Sequence, residues 1–262
     1  MTETNPKHFV QSLDRGLSVI RAFNADSAEL TLSDVAKITG ITRAAARRLL
    51  LTLADLGYVR SNGRHFHLTP RVLELGYSYL SSISLTEVAE PHLESLVAKI
   101  RESSSIAVLD ADDIVYVARV PTSRIMTVGI NVGTRFPAYA TSMGRVLLAG
   151  LPDDELDAYL KGLRPSRLSP RTLTTKDALR KEISKARSQG WAIVDQELEE
   201  GLRSAAAPIR DRDGAVVAAI NVSAAAGRTS LQEIERKLLP PLLATAKQVE
   251  ADLRISTAGR AG

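Results

Sequence analysis

Cysteine is absent from this 262-residue sequence, and aromatic residues make up only 4% of it. Without cysteine there are no disulfide bonds, no thiol nucleophiles and no zinc or iron–sulfur sites built on thiolates. The four histidines leave few candidates for a general base or a metal ligand set. The sequence therefore offers few candidate catalytic residues, and it predicts neither a cofactor nor a metal site.

Long hydrophobic runs are also missing. No stretch approaches the roughly 20 apolar residues that a membrane helix needs. The N-terminal residues MTETNPKHF contain neither the charged nor the apolar part of a secretion signal. An apolar fraction of 44% and a charged fraction of 24% are typical of globular proteins. We therefore expect a soluble protein of the cytoplasm without membrane contact, which the lack of cysteine also fits.

Residues 31–59, TLSDVAKITGITRAAARRLLLTLADLGYV, carry a pattern typical of a helix-turn-helix. Two helices that cross at a tight turn need a small residue at the crossing and a flexible one in the turn, and Ala36 and Gly40 meet these needs. Thr42 is a suitable N-cap for the second helix. Asn62-Gly63, both of which tolerate positive φ, then predict a hairpin that serves as a wing.

Positive charge concentrates on this segment. Residues 40–72 hold six arginines against one aspartate, a net charge of +5, whereas the whole chain carries +4. Exposed arginines on the second helix can pair with guanine or hold a phosphate, and small alanines beside them allow a close approach. The pattern predicts double-stranded DNA as a partner. The expected contacts are Thr42, Arg43, Ala44, Arg47 and Arg48 on the helix, and Arg60, Arg64 and His65 on the wing.

Two alternatives for the head stay open. A winged helix with ordinary solvated charges can bind protein instead of DNA. His65 and His67 lie on one face of a strand, as a metal-binding pair would, but the remaining ligands of such a site are missing nearby. We therefore favour the wing interpretation for both histidines.

The rest of the chain predicts an α+β fold in three parts. Residues 1–70 form the winged head with a supporting first helix, residues 71–84 a linker helix, and residues 85–262 a second domain. In that domain helices alternate with short strands of antiparallel type, which predicts an antiparallel sheet with helices packed against it. The strands are expected at 105–110, 114–120, 126–131, 190–195, 205–210 and 216–223, and a closing helix at 230–254 with a kink at Pro240-Pro241.

The chain resembles the IclR-type transcriptional regulators over residues 10–254. The densest segments are RFPAYATSMGRVLLAGL at 135–151, GWAIVDQELEEGLRSAAAPIRDRDG at 190–214 and AAINVSA at 218–224. They are most similar to the subgroup that governs aromatic acid breakdown through protocatechuate and the β-ketoadipate pathway. The resemblance implies a GAF-like effector domain and an operator that is a full or partial palindrome, bound by a dimer or tetramer of the chain.

The resemblance also implies a small carboxylate effector, held at the start of the helix near Ser142. The free N–H groups and partial positive charge of a helix N-terminus suit a carboxylate. Arg203 would bind it through two parallel hydrogen bonds. The implied site consists of Ala140, Thr141, Ser142, Met143, Asp195, Arg203, Ser204, Asn221 and Ser223.

For several of these residues an ordinary structural role stays open. Asp195 can belong to a solvated acidic loop together with three nearby glutamates, and Asn221 and Ser223 can face solvent on an edge strand. Arg145 or Arg203 can form ion pairs that only stabilise the fold. The function has alternatives too: a second domain that only mediates oligomerisation, or an enzyme with a DNA-binding appendage.

Overall fold

The computed structural model describes residues 8–24, 27–75, 84–122 and 130–258. The chain divides into two compact units, Met1–Ser82 and Ile83–Gly262. Within the described ranges, no helix combines the length and the apolar character that crossing a membrane requires.

The described part of the first unit is built on three longer helices and a small antiparallel sheet. Its buried core is apolar and includes Val19, Val35, Ala46 and Leu50, each without measurable solvent exposure. The predicted helix-turn-helix and its supporting helix are confirmed. The helices are α1 (Gln11–Arg21), α2 (Leu32–Thr39) and α3 (Arg43–Asp55), and the strands are β1 (Leu30–Thr31), β2 (Val59–Ser61) and β3 (His65–Leu68), in the order β1-β3-β2.

One residue joins the sheet of this unit to its helices. Thr31 ends β1, where it pairs with His65 of β3, and it is also the N-cap of α2. Its backbone N–H donates to the Asp34 carboxylate (2.9 Å), and its hydroxyl oxygen accepts from the Asp34 N–H (3.3 Å), which completes a capping box. Helix α2 ends at Gly40, whose φ of +68° lies in the left-handed region that glycine adopts without steric cost.

The wing turn differs from the expectation in detail. Of the Asn62-Gly63 pair, only Gly63 adopts a positive φ (+97°). The Asn62 side chain acts instead as an acceptor: its Oδ1 receives hydrogen bonds from the backbone N–H groups of Arg64 (3.3 Å) and His65 (2.9 Å). The asparagine therefore stabilises the turn through its side chain, as is common in turns.

The second unit contains a six-stranded antiparallel sheet in the order β6-β5-β4-β9-β8-β7. This confirms the predicted α+β fold. The strands are β4 (Ser103–Asp110), β5 (Asp113–Val120), β6 (Arg135–Pro137), β7 (Ala192–Asp195), β8 (Leu202–Arg210) and β9 (Val216–Ala225). The helices are α4 (Ser84–Ile100), α5 (Ser142–Gly150), α6 (Asp153–Gly162), α7 (Lys176–Gln189) and α8 (Leu239–Ala258).

Helix α5 is the central helix of this unit. It packs on β8 and β9 and against α7, and its residues from Ser142 to Ala149 are all buried. A Cβ atom at Gly144 would lie 2.0 Å from the carbonyl oxygen of Ala138, so only glycine fits there. The short 3-10 turn Ala138–Ala140 is thereby held against the start of the helix. Helices α4 and α8 pack on each other and on β5 and β8 respectively.

A π-helical turn, Ile234–Leu238, precedes α8 and its Pro240-Pro241 pair. Two consecutive prolines lack N–H donors and disturb the regular helical ladder, which explains a change of hydrogen-bond register at this place. The structure thus places a π-helical turn just ahead of the proline pair at which a kink is predicted.

Two predicted elements fall partly outside the described residues. Of the linker helix predicted at 71–84, residues 76–83 are outside them, and the described part starts with a 3-10 turn at Pro70–Val72 followed by helical residues 73–75. Of the strand predicted at 126–131, residues 126–129 are outside them. Ile130 and Asn131 are described and are not part of a strand.

Candidate DNA-binding surface and effector cavity

Helix α3 presents a polar, positively charged face. Its N-cap Thr42 accepts a hydrogen bond from the Ala45 N–H (3.2 Å), which fixes the first turn of the helix. Ala46 and Leu50 are fully buried in the core of the first unit. The predicted contact residues of this helix lie on its other side and are all exposed: Thr42, Arg43, Ala44, Arg47 and Arg48.

The arginines of this surface are not neutralised by neighbours. In the described part of the chain, Arg43, Arg47, Arg48, Arg60 and Arg64 form no ion pair. Arg60 is exposed on β2, Arg64 is exposed in the wing turn, and His65 is half-buried at the start of β3. Exposed cations without acidic partners are what phosphate contacts require, since their binding releases counter-ions from DNA.

Around the wing histidines, the described residues form no group of three or more potential metal ligands. Both histidines are half-buried, and the Nδ1 atom of His67 is buried without a hydrogen-bond partner. Their environment gives no support to a metal site.

In the second unit, a cavity lies between the start of α5 and one face of the sheet. Seven of the nine predicted effector residues line it: Ala140, Thr141, Ser142, Met143, Ser204, Asn221 and Ser223. The remaining lining residues are Tyr116, Ile130, Val194, Leu198 and Leu202. Sequence reasoning did not select these five because they are apolar or aromatic. The alternation of β8 places Leu202 on the same face as Ser204, so that pattern could have identified Leu202.

The polar groups of the cavity come from two walls. On the helix wall, the Thr141 hydroxyl caps α5 by accepting from the Gly144 N–H (3.0 Å). The N–H groups of Ser142 and Met143 belong to the first turn and have no carbonyl partner within the helix. The helix start therefore directs N–H groups and partial positive charge toward the cavity.

The strand wall adds hydroxyl and amide groups. The Ser142 hydroxyl donates to the Ser204 hydroxyl (2.9 Å), which joins the helix start to β8. Asn221 accepts from the Ser105 N–H through Oδ1 (3.0 Å) and donates to the Ser223 hydroxyl through Nδ2 (3.1 Å). Asn221 and Ser223 are buried, and β9 lies between β4 and β8, so these side chains do not face solvent on an edge strand.

The cavity is nearly closed. Its free space of about 20 Å³ holds about one water molecule. A ligand with a ring or a six-carbon chain therefore has to displace apolar side chains of the lining, such as Met143, Leu198 and Leu202. Ligand entry requires a change in the shape of the cavity, which is a way to couple binding to conformation.

Two predicted effector residues, Asp195 and Arg203, do not lie at the cavity. They pair directly across β7 and β8, whereas Ser204, the next residue on β8, faces the cavity. Neighbours along a strand point to opposite faces, so Arg203 and Ser204 cannot both line it. Arg203 donates from Nε to Asp195 (2.5 Å) and from Nη1 to the carbonyl oxygens of Ala226 (3.0 Å) and Thr229 (2.8 Å). The expected carboxylate clamp is already occupied by protein groups.

The carboxylate of Asp195 is held in its ionised form. Burial acts to raise the pKa of Asp195, but hydrogen bonds from Arg203 and Gln196 and the charges of Arg203 and Arg171 outweigh this effect. The pKa of Asp195 therefore lies below its ordinary value. The Asp195–Arg203 pair is a structural ion pair, which is one of the alternatives that the sequence left open.

A second structural ion pair connects α5 to the loop after β7. The Arg145 Nη2 donates to the Glu197 Oε2 (2.5 Å), and Glu197 also accepts from the Leu173 N–H (3.3 Å). Arg145 is 2% exposed and Glu197 8% exposed, so Glu197 is not part of a solvated acidic loop. The neighbouring glutamates Glu199 and Glu200 are exposed.

One chain thus carries a winged helix-turn-helix with unpaired arginines and a second unit with a nearly closed cavity that has both polar and apolar walls. Together they define a DNA-binding regulator of transcription that responds to a small molecule. Residues 12–63 match the family model of the IclR helix-turn-helix domain, and residues 77–251 match that of the bacterial transcriptional regulator IclR C-terminal. The chain belongs to the IclR family of transcriptional regulators.

Individual relatives agree with this assignment. The Pca regulon regulatory protein of Pseudomonas putida is 45% identical over 247 residues, which cover 94% of this chain and 85% of the relative. The crystal structure of a transcriptional regulator from Rhodococcus sp. RHA1 is 62% identical, with a TM-score of 0.85 and coverage of 94% of this chain and 98% of that one. An IclR homologue from Microbacterium hydrocarbonoxydans, solved in complex with 4-hydroxybenzoate, is 26% identical, with a TM-score of 0.81 and coverage of 92% and 98%.

Proposed function

We propose that this protein controls genes of aromatic acid breakdown and that its effector is an aromatic acid or a ring-cleavage product similar to β-ketoadipate. The observation that carries the proposal is the cavity whose walls combine the start of α5 with Ser204, Asn221 and Ser223. The likeness to the Pca regulon regulatory protein and to a homologue that holds 4-hydroxybenzoate supports this class of ligand.

The polar groups of the cavity suit such a ligand. An aromatic hydroxy acid or a short dicarboxylate has a polar group at each end and an apolar middle. The N–H groups at the start of α5 bind an acceptor or an anion at one end. Hydroxyl and amide groups on the strand wall bind further polar atoms, and Tyr116, Leu198 and Leu202 contact the apolar middle.

We further propose that the protein binds its operator as a dimer or as a tetramer of paired dimers. Leu13 and Leu17 of α1 lie on the same side as Val10, the N-cap residue of this helix, and the three residues are 62%, 45% and 58% exposed respectively. An apolar stripe at this spacing is typical of a helix that packs against another element. A second copy of the chain would cover it and give the two-fold symmetry that a palindromic operator requires. A regulator of this type acts in the cytoplasm.

Calorimetric titration of the full-length protein tests the effector proposal. The panel consists of 4-hydroxybenzoate, protocatechuate, β-ketoadipate and unsubstituted benzoate. We expect one acid to bind selectively and to change operator affinity in a fluorescence anisotropy assay. The variant S204V should weaken that binding about tenfold, because a hydroxyl contact is lost, while S188A on the exposed side of α7 should not. Absence of binding by every acid would overturn the proposal.

Two further measurements address the alternatives. The bound acid should be recovered chemically unchanged after long incubation, since the proposal assigns no catalytic role to the cavity. A product in the mixture would favour the enzyme alternative. Sedimentation of the variant L13E should show a shift toward monomer if α1 is in the dimer interface, and an unchanged dimer would place the interface elsewhere.

A further inference from the structure

Four described arginines of the second unit are wholly or partly buried, and they differ in their partners. Arg210 donates a hydrogen bond from Nη1 to the carbonyl oxygen of Gly214 (3.0 Å). Arg145 pairs with Glu197, and Arg203 pairs with Asp195. Arg119, on β5, is half-buried and forms no ion pair or side-chain hydrogen bond within the described residues. A cation held partly out of water without an acid is costly unless another anion reaches it.

A β-bulge directs Arg119 to the cavity side of the sheet. In a regular strand, residues three apart point to opposite faces, so Arg119 would face away from Tyr116. The register between β4 and β5 shifts between Ile106 and Ala107, and Val117 is the extra residue. Tyr116 consequently pairs with Ala107 and Arg119 with Ser105, two residues apart on β4, so both side chains lie on one face.

That face is the one that borders the cavity. Ser105, the partner of Arg119, also pairs with Asn221 on its other side, and Asn221 lines the cavity together with Tyr116. Arg119 therefore lies in the same cross-strand row as Asn221, two strands away, which is about 10 Å between the backbones. A long arginine side chain can cover much of this distance toward the cavity.

The electrostatic surroundings of Arg119 are those of a cation without a protein counter-ion. Burial lowers the pKa of Arg119 from its usual value, and the group that opposes this shift is the Tyr116 hydroxyl rather than a carboxylate. Burial raises the pKa of Tyr116 to about 12, so at neutral pH this phenol carries no compensating negative charge.

We propose that Arg119 supplies the positive charge that binds the carboxylate of the effector and makes the cavity selective for acids. This inference rests on the proposed function, which assigns the cavity to an acid. The Arg119 guanidinium takes the role that the family resemblance implies for Arg203. The start of α5 then binds the other polar end of the ligand, such as the hydroxyl of a 4-hydroxybenzoate-like acid. The ligand class is accordingly an acid with a second polar group opposite its carboxylate.

The test combines a change in the ligand with a change in the protein. The acid of the panel that binds most tightly and its carboxamide analogue are titrated calorimetrically into the full-length protein and into R119Q. In the unchanged protein we expect the acid to bind about ten- to a hundredfold more tightly than the amide, as a charge-assisted pair allows. In R119Q that preference should fall to a few-fold, while the affinity for the amide changes little.

Two variants separate a direct contact from a structural effect. R119K keeps the charge and should retain most of the preference for the acid. R203Q removes an arginine that is paired with Asp195 and should leave the preference unchanged. Melting temperatures of all variants, followed through the single tryptophan Trp191, verify that the second unit is folded.

The outcomes are distinguishable. If the acid-to-amide preference is the same in R119Q as in the unchanged protein, Arg119 does not contact the carboxylate and the inference is overturned, although the proposed function stands. If the unchanged protein binds none of the acids, the proposed function fails and the inference fails with it.

Discussion

The two units use the same device at the start of a helix and expose it differently. Thr42 caps α3 and Thr141 caps α5, each by accepting an N–H from the third residue of its helix. Thr42 is exposed, whereas Thr141 is 6% exposed and lines a cavity with room for about one water molecule. The open helix start is accessible to a macromolecular anion and the closed one only to a small molecule. The two helix starts have the same capping chemistry, so their different burial determines whether DNA or a small molecule can reach them.

Arginines give a second contrast between the units. In the first unit, the described arginines of α3 and the wing have no acidic partners and remain available to phosphates. In the second unit several arginines form ion pairs with acidic residues. Arg145 pairs with Glu197, and Arg203 pairs with Asp195. The same residue type therefore contributes binding in one unit and stability in the other, and half-buried Arg119 departs from this pattern because no described acid pairs with it.

The largest expected effect comes from breaking the buried pair of the second unit. E197A leaves the Arg145 guanidinium buried without its acid, which costs about 3–5 kcal/mol of stability. Urea unfolding followed by Trp191 fluorescence should show the loss. The double variant R145M/E197L should recover most of it, because two apolar side chains replace the pair. Unfolding of E197A at the same urea concentration as the unchanged protein would show that this pair has no structural role.

A slightly smaller loss of stability is expected when the glycine near the start of α5 or of α3 is replaced by alanine. G144A forces a Cβ to 2.0 Å from the Ala138 carbonyl oxygen and should cost roughly 3 kcal/mol or more. At Gly40 nothing lies within 4 Å, so G40A meets only the cost of a positive φ, about 1–2 kcal/mol. Circular dichroism and Trp191 fluorescence should assign the first loss to the second unit alone. Equal effects of both substitutions would contradict the tight contact at Gly144.

Removing cations from the first unit should change binding without changing stability. R47A and R48A should each weaken the affinity for a duplex selected from random sequences by about tenfold, and reduce the salt dependence. R180A, an arginine paired with Asp157 on the second unit, is the control that should have no effect. The assignment of α3 to DNA contact is wrong if both variants keep the affinity and the salt dependence of the unchanged protein.

The smallest effect concerns pH. Because the pKa of Asp195 is lower in the folded protein than its ordinary value of 3.8, its ion pair contributes stability above that pH and loses the contribution as the pH falls further. The contribution is about 1 kcal/mol or less, since the pair is partly exposed. The stability difference between the unchanged protein and D195N should be constant near neutral pH and shrink in acid. If the stability difference between the two proteins grew on acidification, the ion pair would not lose its contribution as the pH falls, and the prediction would be wrong.

The head was predictable because its signals are local. Ala36, Gly40 and Thr42 lie within seven residues, and each has a role that depends on its immediate neighbours. The strand β1 was missed because two residues, Leu30–Thr31, are too short to show an alternating pattern. The cavity was located through resemblance at three separate segments, since residues far apart in sequence form its walls.

The errors at the cavity have two different causes. Arg203 and Ser204 are consecutive on β8, so strand alternation alone excludes that both line one cavity, and this signal was available in the sequence. Arg119 could not be found in the same way. Regular alternation along β5 separates it from Tyr116, and only the bulge between β4 and β5 brings the two to one face. A bulge depends on pairing with another strand and leaves no mark in the local pattern.

The shared role of Thr31 has a mechanical consequence for how the head meets DNA. Because this residue is both a strand partner of His65 and the cap of α2, the wing and the helix pair have no flexible joint between them. We therefore expect the wing and the helix pair to meet DNA as one unit. In the dimer that we propose, the effector would therefore act on the spacing between the two heads and not on the shape of one head.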